Sequence, residues 1–120
     1  HPAVRGMAYG EVLRDSHACL GLVSHSNEDE WTMRSFEVPG CASLFLAENT
    51  PMHREFYAAD EEAVFFESSS GCVDRALEVT RNPARTERIA WAGRKKIEDR
   101  GWFIENRMEE ALPILGIKAL

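Results

Sequence analysis

The candidate binding groups of this chain are concentrated in one short stretch, where Asp29, Glu30, Thr32, Arg34 and Glu37 lie just ahead of Pro39-Gly40. A carboxylate accepts hydrogen bonds at both oxygens, so one acid held on a helix can take a pair of hydroxyls at small ordering cost. Backbone N–H groups at a helix start suit an anion, and the helix dipole adds to that preference. Acids crowded at the same start repel a phosphate, which places hydroxyl groups rather than phosphate near Asp29 and Glu30. Both acids, like Thr32, also have a plainer use in capping the helix. Arg34 either neutralises an anion or pairs with Glu30 or Glu37 at helical spacing. Glu37 is the foremost of the set.

What must position these groups is a helix feeding a strand. Residues 33–46 read as a short amphipathic run that stops at Pro39-Gly40 and passes through a tight joint into the apolar run 42–47. An acid just ahead of such a joint lies near the sheet edge where α/β proteins hold ligands. Asn27 and Glu30 have capping-box spacing, which predicts a helix over about residues 30–38. Upstream, residues 9–14 read as a short helix, and the continuous apolar run 18–23 as a strand covered on both faces. Downstream come a strand at 44–46, a loop at 48–51, a helix at 52–58 and a third strand at 63–66. Val73, Ala76, Leu77 and Thr80 fall at helical spacing, and Asn82-Pro83 ends that run. Ile89, Ala90, Gly93 and Ile97 share a face of a helix over about 84–99. A last helix, over 102–112, carries apolar Phe103, Met108 and Leu112. Ser68-Ser69-Ser70-Gly71 lacks the lysine of a phosphate loop and reads as a helix start. Strands alternating with helices predict an α/β fold with parallel βαβ units.

The 120 residues contain no repeat and no linker, so residues 1–120 read as a single domain. A net charge of −6 argues against nucleic-acid or anionic-membrane partners, which call for a basic face. No apolar stretch approaches the roughly 20 residues that span a bilayer, and no signal-peptide pattern opens the chain. Cys19, Cys41 and Cys72 are odd in number, widely spaced and set in apolar surroundings. They read as small buried hydrophobes of a reduced, cytoplasmic compartment. Glu28-Asp29-Glu30 has no second cluster to complete a cation's coordination, so no metal is expected. His25 follows the first strand, where ligand-facing loops lie, but a lone His there reads as a surface residue; His17 and His53 have no partner spacing. Trp31, Trp91 and Trp102 read as packing anchors rather than a stacking platform. A start at His1-Pro2 and a sheet of three strands, where about five or six are usual, read as a piece of a larger protein. An unpaired sheet edge would also favour self-association.

Tyr9-Gly10-Glu11, then Trp31-Thr32-Met33-Arg34-Ser35-Phe36-Glu37-Val38-Pro39-Gly40-Cys41, then Glu62-Ala63-Val64-Phe65-Phe66, resemble in order the C-terminal part of GT-B glycosyltransferases. The likeness is to the spore-maturation-protein-like branch of the glycosyl transferases group 1 superfamily. Asn82-Pro83, Arg88-Ile89-Ala90, Ala92-Gly93-Arg94 and Arg107 resemble its closing helices. The resemblance spans roughly residues 9–112, and its most specific element is Arg34-Ser35-Phe36-Glu37-Val38-Pro39 followed by a strand. It implies a Rossmann-like three-layer sandwich, the C-terminal half of a GT-B fold, which binds a nucleotide-diphosphate sugar without a cofactor. The other half, which receives the acceptor, would lie upstream. The acid at the Glu37 position would take the ribose hydroxyls, and the acid eight residues earlier, here Asp29, would contact the donor sugar. The family has Glu rather than Asp at that earlier place. It has Gly where this chain has Ala42, so the turn there must take a methyl group or shift.

Two functional readings follow. In the first, the chain is the donor-binding domain of a glycosyltransferase. The nucleotide sugar is held by Glu37, Arg34, Asp29, Glu30 and Thr32, no catalytic residue is assigned, and the isolated piece is expected to bind nucleotide without transferring sugar. In the second it is a non-catalytic α/β module for protein contacts or regulation. A phospho-acceptor receiver domain lacks its strand-end acids and late lysine here.

Overall fold

The computed structural model describes residues 2–118. Helix α1 (Met7–Asp15) leads into strand β1 (Ala18–Gly21); a 3₁₀ turn at His25–Asn27 and a loop then reach helix α2 (Arg34–Gly40). Strand β2 (Leu44–Glu48), helix α3 (Pro51–Phe56) and strand β3 (Val64–Phe66) complete the sheet. Helices α4 (Ser69–Arg81), α5 (Pro83–Asp99) and α6 (Ile104–Ile114) close the chain. The sheet is parallel in the order β1-β2-β3, with Leu20 beside Leu46 and Leu46 beside Val64. This is the expected α/β architecture of a Rossmann-like sandwich.

Side-chain alternation divides the sheet between two apolar clusters. Phe45, Ala47 and Phe65 join Leu13, Val38, Tyr57, Ala63 and Ile97 on one side. Leu44, Leu46, Val64 and Phe66 join Val79, Ile89 and Ala90 on the other. Helix α5 takes part in both through its expected inward face, with Ile97 in the first cluster and Ile89 and Ala90 in the second, and comes very close to the chain ahead of β3. A Cβ at Gly93 would sit 2.6 Å from the Glu62 carbonyl oxygen, so only glycine permits this approach.

Helix α2 departs from expectation at both ends. Residues 25–27 form the 3₁₀ turn, and Glu28 leaves it in the left-handed region at φ 56°. The Asn27–Glu30 capping box is therefore absent, the helix starts at Arg34, and Asp29, Glu30 and Thr32 stand in the loop before it. At the other end the helix continues through Pro39, which the sequence reading takes as its stop. Proline has no N–H to offer the carbonyl four residues back, which is Ser35. The Tyr57 hydroxyl donates to that carbonyl at 2.6 Å, and both residues are fully enclosed. The helix then ends in a Schellman motif: the Ser43 N–H reaches the Val38 carbonyl and the Ala42 N–H reaches that of Pro39. The residue after the cap is Ala42, held at φ 57° where glycine is favoured. The turn takes the methyl group and keeps its shape.

Exposure differs from expectation at β1, α4, α6 and the cysteines. Strand β1 is an edge and is not covered on both faces, for Leu20 and Leu22 are exposed beyond the reach of α4 and α5. In α4 the inward residues are Cys72, Ala76 and Val79, whereas Val73 and Leu77 face out. In α6 no residue is buried and Met108 is exposed; Trp102 and Phe103, just ahead of it, supply the packing instead. The three cysteines are free and only half-buried.

Two substitutions test the ends of α2. Tyr57→Phe should cost about 1–3 kcal/mol by stranding the Ser35 carbonyl, read as a lower midpoint in urea at unchanged slope. Ala42→Gly should stabilise by about 0.5–1 kcal/mol, as relief of left-handed strain exceeds glycine's entropy cost, read as a higher melting temperature.

Candidate functional site

Glu37 emerges from α2 toward α1. The Tyr9 hydroxyl donates to its Oε2 at 2.9 Å, while Oε1 has no hydrogen-bond partner among the described residues. Burial and the adjacent Glu37 carboxylate push the Tyr9 phenol up, partly opposed by Arg34, so Tyr9 stays protonated and keeps donating. The pair sits in a cleft of about 620 Å³ whose walls include Trp31, Phe36, Phe56, Trp102 and Phe103. Among Trp31, Phe36, Phe56 and Trp102 the paired ring centroids are 5.3–6.4 Å apart, mostly edge to face. Arg94 lies over the Phe103 ring at 4.7 Å and also donates to the Gly40 carbonyl, which ties the cleft floor to the end of α2. Arg107 stands at the rim. Arg34 makes no ion pair with Glu30 or Glu37 among the described residues, so neither expected helical pairing forms.

Asp29, Glu30 and Thr32 do not share that cleft. With Glu28, Trp31 and Met52 they line a separate hollow of about 610 Å³, and Trp31 is the wall common to both. Their loop is held by backbone contacts. The Thr50 hydroxyl donates to the Glu30 carbonyl at 2.6 Å and accepts the His53 N–H at 3.1 Å. The Thr32 N–H donates to the Ser35 hydroxyl at 3.0 Å. The acid side chains are thereby left open to the hollow.

Behind both hollows lies a buried polar network that sequence spacing did not reveal. His53 is 1% exposed. Its Nδ1 is 2.8 Å from the Glu48 carbonyl, which only accepts, so Nδ1 carries the hydrogen. Its Nε2 then accepts from the Ser35 hydroxyl at 2.8 Å. Burial holds this imidazole below its ordinary range, against the pull of the Glu48 carbonyl and carboxylate, and keeps it neutral. Ser35 is thus tied at its hydroxyl by His53 and Thr32 and at its carbonyl by Tyr57. The residues that sequence reading missed are Tyr9 as partner of Glu37, His53, and Glu48 at the end of β2. Only Glu48 carries a sequence signal, its place at the carboxyl end of a strand.

Among the described residues no three His, Cys, Asp or Glu side chains converge as metal ligands, and no helix is long and apolar enough to cross a membrane.

The lowered His53 affinity for a proton fixes a pH response. Below about pH 6.5 the unfolded chain binds a proton that the folded chain refuses. Stability should therefore fall with decreasing pH, by up to about 1.4 kcal/mol per unit until the folded imidazole titrates. His53→Gln should flatten that slope below pH 6.5 in urea titrations, although it lowers stability at neutral pH.

A family model described as glycosyl transferase-like matches residues 1–113. No match to the chain was found among curated proteins or solved structures.

Proposed function

The chain belongs to the glycosyl transferase-like family, and on that premise we propose that it is the donor-binding domain of a GT-B glycosyltransferase of the spore-maturation-protein-like branch, which transfers a sugar from a nucleotide-diphosphate sugar. The observation that carries this reading is the Glu37 carboxylate, with one oxygen held by Tyr9 and the other open, at the mouth of an aromatic-walled cleft. A ribose diol brings two hydroxyl donors to such a carboxylate. The volume of about 620 Å³ lies within the range of sites for ligands of nucleotide size. The aromatic walls offer a face to a base, and the diphosphate is assigned to Arg107, which lines the cleft while paired with Glu110, and to Arg34, which lies beside Tyr9 outside the cleft lining.

In this reading Asp29, Glu30 and Thr32 meet sugar hydroxyls beyond the Trp31 wall. Rate enhancement would come from orientation and from stabilising the departing diphosphate. A second domain would present the acceptor, and a cytoplasmic setting fits the free cysteines and the cytosolic supply of nucleotide sugars.

Titration with UDP, GDP and ADP by calorimetry tests the reading. One of the three should bind, and Glu37→Ala should weaken it roughly 10- to 100-fold, the worth of a hydrogen bond to a charged group. Glu55→Ala, an exposed acid on α3, should leave it unchanged. Failure of all three to bind would favour the non-catalytic interaction module.

A further inference from the structure

A hollow of about 450 Å³ lies at the amino ends of the strands, between the joint from α1 to β1, the turn after α2 and one face of α5. Ser16 and His17 reach it just ahead of β1, and Cys41 and Ala42 just ahead of β2. The loop that carries Asp29 and Glu30 follows the opposite, carboxyl end of β1. The hollow is thus remote from that loop, and its lining shares only Cys41 with the Glu37 cleft.

Trp91 distinguishes this hollow from an ordinary surface dent. Sequence reading takes it as a packing anchor, but it joins neither apolar cluster and is 59% exposed. Trp31 and Trp102 each pack against other rings, whereas Trp91 has no aromatic partner among the described residues. So large an apolar face left in water forgoes the burial that a tryptophan ordinarily contributes. Pro83, Glu87, Trp91 and Arg94 follow one another at spacings of three and four, so one face of α5 presents them together.

The polar groups beside this indole are open. Elsewhere on α5 the charges are matched: Arg85 pairs with Asp60 and Glu78, Arg94 with Glu98, Lys95 with Asp99 and Lys96 with Glu62. Glu87 is exposed and has neither an ion pair nor a hydrogen bond among the described residues. Arg14 uses only its Nε, on Asp15 at 3.3 Å, and both of its terminal nitrogens remain available. An apolar ligand would strip water from Glu87 and Arg14 without replacing it, and an anion would meet the Glu87 carboxylate. A pyranose answers both demands. Its C–H face covers the indole, and the hydroxyls around its edge donate to Glu87 and accept from Arg14.

We propose that this hollow is a second saccharide site, taking one pyranose unit of a glycan chain on Trp91, with Glu87 and Arg14 on its hydroxyls. The site is distinct from the nucleotide's and stands whether or not Glu37 holds a ribose. An open platform suits one unit of a longer chain, because the neighbouring units can leave on either side. In a glycosyl transferase-like protein it retains a glycan without occupying the Glu37 cleft.

Titration with maltohexaose, cellohexaose and chitohexaose, read by saturation-transfer NMR and tryptophan fluorescence, tests the proposal. One of the three should bind in the millimolar range and shift the emission to the blue. Trp91→Ala and Glu87→Ala should each weaken that binding roughly 10-fold, at unaltered melting temperature for these exposed residues. Trp91→Phe, which keeps an aromatic face, should retain binding within about threefold but lose the emission shift. Affinity for UDP, GDP or ADP should be the same in all three variants. Failure of every hexasaccharide to bind at about 10 mM, or an affinity that Trp91→Ala leaves unchanged, would overturn the site. Loss of nucleotide affinity in Trp91→Ala would also overturn it, by giving the hollow to the nucleotide. Glycan binding that depends on Trp91 in a protein that takes no nucleotide would uphold this site and overturn only the donor reading.

Discussion

The hydrogen bond from the Tyr57 hydroxyl to the Ser35 carbonyl is the contact on which the region around α2 depends. Pro39 removes the donor that this carbonyl would find in an uninterrupted helix, and the site is closed to water. An enclosed carbonyl without a partner is costly enough to unwind a seven-residue helix. Tyr57 restores the missing donor from α3's end, across the core. The same enclosure pushes its phenol up, so the donor is never lost in the physiological range. A short helix can thus carry a proline near its end and still hold Glu37 at a fixed angle toward Tyr9.

Ser35 and Glu48 divide the work of placement. Ser35 receives restraint from the loop through Thr32, from α3 through His53 and Tyr57, and passes it along one turn of helix to Glu37. Glu48 sends its carbonyl inward to His53 and its carboxylate outward to Val23 and His25. One strand-end residue therefore sets the geometry of the buried network with its backbone and that of the loop after β1 with its side chain. The aromatic rings around Phe36 form the third restraint, with Trp31 and Trp102 packed edge to face against it and Phe56 tilted.

Much of the fold was legible because period and punctuation agree with it. The apolar runs marking β2 and β3, the Asn82-Pro83 break and the Ile89-Ala90-Gly93-Ile97 face are local patterns, and local patterns survive packing. The start of α2 is not legible because Asn27 and Glu30 have the spacing of a cap, but Asn27 lies in a 3₁₀ turn and Glu30 in the loop after it, held by tertiary contacts of Glu30 with Thr50 and of Ser35 with His53 and Tyr57. The end was misjudged because the donor that rescues Pro39 comes from 22 residues away in sequence. In the candidate site, Glu37 stood out from its flanking residues, whereas Tyr9 is 28 residues distant and carries no local mark. His53 looked solitary because both of its partners are reached through folding, one of them a backbone carbonyl that no sequence displays.

Helix α5 gives half of its inward face to each side of the sheet, Ile89 and Ala90 to one cluster and Ile97 to the other. A three-stranded sheet with two separate apolar layers could melt in two steps, one layer at a time. A single rod lodged in both layers removes that option, because freeing either end exposes surface at the other. The two layers are then expected to open and close as one cooperative unit, with the interior amides of α5 among the slowest to exchange with solvent.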